Sequence, residues 1–119
     1  GDWIRTHSGV VWLHPELQYT LRFASGTSLQ FVFSLEGPHN SASFVPMDDG
    51  IGQVVIGLQT TPKLMPINLV PTDDKGESLM EFLIQMYVTP TPYGDKELLR
   101  LDYATFWKGP ASLKGAKEP

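Results

Sequence analysis

Cysteine is absent from all 119 residues, which removes disulfide frameworks, thiol nucleophiles and thiolate metal sites in one step. The compartment stays open, since cytosolic and secreted chains can both lack Cys; the cytoplasm is the preferred reading. No apolar run approaches the ~20 residues of a membrane-spanning helix, and the opening GDWIRTHSG has neither the basic nor the apolar region of a signal peptide. The chain therefore reads as soluble and mature, with no membrane insertion. A basic excess is missing too. Nine Lys and Arg against 13 Asp and Glu give a formal net charge of −4, which leaves nothing to neutralise a phosphate backbone or an anionic lipid surface. Nucleic acid is not an expected partner. Lys108, Lys114 and Lys117 are dispersed among Gly, Ala and Pro, so residues 109–119 are expected to form a flexible C-terminal tail.

Several catalytic signatures are also missing. There is no GxSxG serine, no GxxxxGK[ST] loop and no GxGxxG, so serine hydrolases and nucleotide-binding enzymes lack their carriers. Ser8 before Gly9 and Ser25 before Gly26 read as turn residues. His7, His14 and His39 show no HxH or HExxH spacing that would put two imidazoles on one face. No catalytic residue is assigned, and the expectation leans away from an enzyme.

What is present is alternation. Leu17, Tyr19, Leu21 and Phe23 are apolar at every second position, ASGTS follows as a turn, and Leu29, Phe31, Phe33 and Leu35 alternate again, which predicts a hairpin. Upstream, Trp3 to Thr6 and Val10 to Leu13 are β-prone runs separated by Ser8 and Gly9, suited to an edge or bent first strand. SFVPM reads as a strand demoted by Pro46, QVVIGLQ as a strand with Val54, Ile56 and Leu58 on one face, TTPKLMP as a connection and INLV as a short strand. LMEFLIQMYV is apolar on both parities and predicts a central strand, a buried helix being the alternative for residues 79–88. TPTPYGD reads as a Pro-rich loop. LLRLDYATFW closes the pattern with Leu99, Leu101, Tyr103, Thr105 and Trp107 on one face.

Ten Pro and eleven Gly are spread between the apolar runs, marking repeated chain reversals without an inter-domain linker. The composition, 41% apolar and 18% charged, suffices for one core. Residues 1–108 are thus expected to form a single all-β domain. The architecture implied is an antiparallel two-sheet β-sandwich, immunoglobulin-like or a related Greek key, with roughly 7–9 short strands and little or no helix.

The order of an SG turn, LQYTLRF, LQFVFSL, QVVIGLQ, LMEFLIQMYV and LLRLDYATFW, with Tyr103, Phe106 and Trp107 in a Y-x-x-F-aromatic ending, resembles a group of small bacterial β-sandwich proteins catalogued as a domain of unknown function. The resemblance spans residues 8 to 108 and departs from the group at the compressed, Pro-rich Thr60 to Pro66. It implies a sandwich fold and no particular activity.

Two features carry functional expectations. Asp48 and Asp49 lie in one loop, and Asp73, Asp74 and Glu77 in another; such oxygen ligands suit Ca²⁺ if chain reversals bring both loops to one end. Asp followed by Gly is equally ordinary turn chemistry, and Lys75 sits among the acids. Trp12, Tyr93 and Trp107 fall near strand ends, where an aromatic is either a lid on the core or a binding anchor. The expected role is a non-catalytic protein-binding or assembly module that presents an edge strand or a loop end to another protein or to its own copy. The alternative is a small-molecule or cation-binding domain, or an enzyme, using the acidic loops or a pocket around His7 and His14.

Overall fold

Eight strands emerge from this alternation in a computed structural model that describes residues 3–22, 28–47, 51–69 and 81–108. They are β1 (Ile4–Leu13), β2 (Gln18–Arg22), β3 (Ser28–Ser34), β4 (Ala42–Pro46), β5 (Gly52–Gly57), β6 (Lys63–Leu69), β7 (Glu81–Tyr93) and β8 (Lys96–Lys108). Among the described residues there is no helix. One sheet has the order β1-β8-β7-β6 and the other β2-β3-β5-β4. Their inner faces meet in one core, so the chain is an all-β two-sheet sandwich with extents of 49 × 25 × 21 Å.

The core follows from strand parity. Leu99, Leu101, Tyr103, Thr105 and Trp107 of β8 all turn inward, against Phe82, Ile84, Met86 and Val88 of β7. Leu29, Phe31 and Phe33 of β3 with Val54 and Ile56 of β5 face them from the second sheet. Each large apolar side chain withdrawn from water in this way stabilises by ~1.5–3 kcal/mol. Within LMEFLIQMYV, Glu81 to Val88 form part of an interior strand as expected, Leu79 and Met80 lying outside the described residues, and the other face is not core: Tyr87 is exposed and Leu83 only half-buried.

Four details depart from the sequence reading. The two upstream runs are one strand, β1, whose pairing with β8 shifts between Arg5 and His7. This bulge switches the inward parity from Ile4 to His7, Gly9, Val11 and Leu13, which is why the apolar pattern breaks in two. Secondly, β3 and β5 are parallel, so the second sheet is mixed rather than wholly antiparallel.

Thirdly, TPTPYGD is not a loop. Strand β7 runs through Pro90 and Pro92 to Tyr93, and only Gly94 and Asp95 turn the chain into β8. Gly94, at φ +63, occupies the first loop position, where a type II′ hairpin requires a positive φ. Tyr93↔Lys96 closes this hairpin, so alternation makes Pro92↔Glu97 and Pro90↔Leu99 the pairs without ladder hydrogen bonds to β8. The missing N–H groups therefore face the side that β6 has already left, its pairing ending at Lys63↔Val88. Fourthly, TTPKLMP is half strand: Lys63 to Pro66 open β6, and the same alternation turns the nitrogen of Pro66 to the free edge.

Candidate interaction surface

Strand directions sort the connections into two ends. At one end stand Arg22 and Ser28, Met47 and Ile51, and Leu69 and Glu81, together with Ile4 and Lys108. Asp48, Asp49, Asp73, Asp74 and Glu77, the candidate Ca²⁺ ligands, lie outside the described residues, as do Ser25 and the tail 109–119. Among the described residues no group of three or more His, Asp or Glu is placed to hold a metal ion.

The opposite end, the loop end, is fully described. It carries His14–Leu17 between β1 and β2, Leu35–Ser41 between β3 and β4, Leu58–Pro62 between β5 and β6, and the β7–β8 turn. The second connection has an unusual path. Because β5 is inserted between β3 and β4, the chain leaving β3 must cross over the end of β5 to reach the sheet edge. Gly57 lies under that crossing, where a Cβ would collide with the Pro38 carbonyl, and its N–H donates to Ser41 O at 2.9 Å. The Ser41 hydroxyl also donates to Pro38 O.

Asn40 ties this crossing to the next loop. It adopts the left-handed conformation (φ 55), which Asn tolerates better than most residues. Its N–H donates to Leu58 O (2.7 Å), and its side-chain oxygen accepts from the N–H groups of Thr60 (2.9 Å) and Thr61 (3.4 Å). Its amide nitrogen donates to Thr60 Oγ1 (2.7 Å), while the Lys63 ammonium donates to Asn40 O (3.3 Å). Beneath this network Gln59 is fully buried, its Nε2 donating to Gly57 O at 2.9 Å. The β3–β4 and β5–β6 connections are thus fastened as one unit.

The three most exposed large apolar side chains among the described residues stand at this end: Tyr93 at 65%, Leu17 at 63% and Leu35 at 62%. Between the sheets here a cleft of about 370 Å³ is lined by Pro15, Leu35 and Leu58 and by Glu16, Asp95, Lys96 and Glu97. Glu97 shares the inward parity of Leu99, beyond the point where the core ends. Lys96 and Glu16 pair at 3.5 Å across the mouth, both largely in solvent, and this pair contributes little stability.

The aromatics singled out from sequence separate. Trp107 is 1% exposed and belongs to the core, so it is no part of any interaction surface. Trp12, at 49%, and Tyr93 project from the outer face of the first sheet near the loop end. That face also exposes Val10, Leu64 and Tyr87, above a shallow depression of about 440 Å³ lined in part by Arg5, Ser8, Gln85 and Asp102.

The histidines do not form a pocket. His7 is in β1 and His14 follows its end, roughly 23 Å further along at the strand rise of ~3.3 Å per residue. His39 is exposed in the crossing loop. His7 instead stacks on Tyr103 (ring centroids 5.7 Å apart), which packs against Phe31 (5.8 Å) and faces Gly9, where a Cβ would lie 3.2 Å from the phenolic oxygen.

Burial raises the Tyr103 pKa well above the ordinary tyrosine value, and the hydrogen bond it donates to Tyr19 raises it further. A phenol held protonated is the reverse of what a nucleophile or general base at neutral pH requires. It also makes the fold sensitive to alkali. The folded-state pKa exceeds the unfolded one, so the contribution is complete below about pH 10 and is lost as pH rises towards the folded value. Tyr103→Phe is expected to flatten the fall in urea-midpoint stability above about pH 10, and ultraviolet titration to show one tyrosine ionising later in wild type only.

No family model, curated protein or solved structure matches this chain. Fold and surface define the class: a small mixed β-sandwich with one pinned, apolar loop end.

Proposed function

We propose that this chain is a non-catalytic binding module that holds another protein at its loop end. The observation that carries the reading is that Tyr93, Leu17 and Leu35, the most solvent-exposed large apolar residues described, all stand at the loop end, where Leu35 lines a cleft beside two hydrogen-bonded connections. Apolar anchors on a preorganised surface give up little conformational entropy on association. Pairing through a sheet edge has less support. β4 and β6 carry Pro46 and Pro66, β1 is bulged near Thr6, and β2 is only five residues long. No described helix is long and apolar enough to cross a membrane.

Selection of a displayed random-peptide library on the wild-type chain tests this, with counter-selection on a Leu35→Ser, Tyr93→Ser double variant. Because both side chains are exposed, the variant is expected to keep its unfolding free energy within about 0.5 kcal/mol of wild type in urea titration. The selected peptides are expected to bind it at least roughly tenfold more weakly. Failure to select any binder, or binders indifferent to both substitutions, would overturn the reading.

A further inference from the structure

The loop-end cleft carries a charge pattern as well as an apolar floor, and the partner class inferred from it rests on the loop end being the binding surface. The floor is formed by Pro15, arriving from the β1–β2 connection, and by Leu35 and Leu58 from the second sheet. The mouth is acidic. Glu16, Asp95 and Glu97 line it, and Glu36 stands exposed beside Leu35. Two lysines share this end: Lys96 pairs with Glu16 at 3.5 Å, and Lys63 donates to the carbonyl of Asn40 at 3.3 Å while keeping its charge, so the four carboxylates Glu16, Glu36, Asp95 and Glu97 outnumber two ammonium groups. Among the described residues Asp95, Glu97 and Glu36 have no cation within 4 Å. The carboxylates are too dispersed to form a cation site, as the lack of any described metal-holding group shows. Their summed field nevertheless falls on whatever enters the cleft.

We propose that the cleft receives a large apolar side chain from a partner protein segment in which that side chain is flanked by Lys or Arg. The apolar floor supplies the anchor site, of a size at the lower end of the ~300–1,000 Å³ usual for ligand pockets. The acidic mouth selects the flanks. An acidic segment meets like charge on both sides of the anchor, and a phosphate backbone or anionic lipid surface is repelled for the same reason. Rim pairs of this kind set association rate and specificity more than affinity, so the preference is expected to be strongest at low ionic strength.

Four synthetic peptides test the assignment: a Phe-Leu anchor flanked by lysines, the same anchor flanked by serines, the same flanked by glutamates, and the lysine flanks without the anchor. Binding is read from backbone amide chemical shifts of Leu35, Leu58 and Asp95 to Glu97. The lysine-flanked anchor is expected to bind about fivefold more tightly than its serine twin at low salt. That ratio should shrink towards one as the Debye length falls to ~3 Å at 1 M salt. The glutamate twin and the anchorless peptide are expected to leave these amides unshifted. In an Asp95→Asn, Glu97→Gln double variant the ratio of lysine-twin to serine-twin affinity should fall about threefold. Equal binding of lysine and serine twins, or of anchored and anchorless lysine peptides, overturns the charge assignment and leaves the binding-module reading intact. If no peptide moves these amides while library selection still finds binders sensitive to Leu35 and Tyr93, only the present inference falls. If the selection fails as well, both fall.

Discussion

Gly57→Ala is expected to lower the stability of the folded chain by about 3 kcal/mol, near the upper range for forcing one extra carbon into a packed site. The site cannot relax cheaply. The atom that the new Cβ would meet is the Pro38 carbonyl oxygen, part of the backbone and not the tip of a flexible side chain, and the Ser41 hydroxyl lies 3.0 Å away. The crossing loop would have to lift off the end of β5, breaking the 2.9 Å bond from Gly57 N–H to Ser41 O and disturbing the parallel pairing of Ser34 with Gly57. Against a total of about 5–15 kcal/mol for a small domain, this is a large fraction. Gly37→Ala, in the same loop, is the matched control: its nearest neighbour is Ser34 Oγ at 3.8 Å, and a change within about 0.5 kcal/mol is expected. Urea unfolding of the three chains measures both. Equal destabilisation by the two substitutions would mean that the crossing over β5 is not the constraint.

The reason this position escapes a sequence reading is topological. QVVIGLQ shows a strand with a glycine in it, and nothing in those letters says that the strand will be inserted between its two predecessors and overlain by their connection. Alternation succeeds where a strand has one buried face along its whole length, as in the β2–β3 hairpin and in β8, whose inward residues from Leu99 to Trp107 are legible one by one. The same parity places Trp107 in the core, which decides between the lid and the anchor that its position near a strand end leaves open. Proline misleads in the other direction. Pro66, Pro90 and Pro92 look like loop markers, yet each sits where its nitrogen faces no neighbouring strand, and hydrogen-bond phase is invisible without the partners. The candidate surface is half legible. Tyr93 and Trp12 stand out as aromatics near strand ends, whereas Leu17 and Leu35 merely continue the alternation of β2 and β3. They are exposed because each lies one residue beyond its strand, where the facing sheet no longer covers it. Alternation shows which way a side chain points; it does not show where the opposite layer stops.

Substitutions at Asn40 should separate the two things this residue does for the loop end. Asn40→Ala is expected to cost about 2–3 kcal/mol: roughly 1 for placing a Cβ-bearing, non-amide residue in the left-handed region, and the remainder for three exposed side-chain hydrogen bonds to Thr60 and Thr61 at about 0.5 kcal/mol each. Asn40→Gly restores the backbone freedom but not those bonds, so a cost of about 1–2 kcal/mol is expected. Asn40→Asp keeps the acceptor for the Thr60 and Thr61 N–H groups and tolerates the same φ; the Thr60 hydroxyl can turn to donate to it, and the cost should be smallest, about 1 kcal/mol or less. The order Ala, Gly, Asp in urea midpoint, lowest to highest, checks the assignment, and equal midpoints for Ala and Gly would remove the conformational part of it. Gly57→Ala combined with Asn40→Ala loosens the same crossing twice, so the double variant should fall short of additivity by about 1 kcal/mol. Leu35 and Leu58, which flank the segments joined through Asn40, line the cleft, so Asn40→Ala should also weaken peptides selected on the wild-type loop end at temperatures where the variant remains folded. A variant that loses stability yet binds those peptides unchanged would show that the cleft does not depend on the Asn40 frame for its shape.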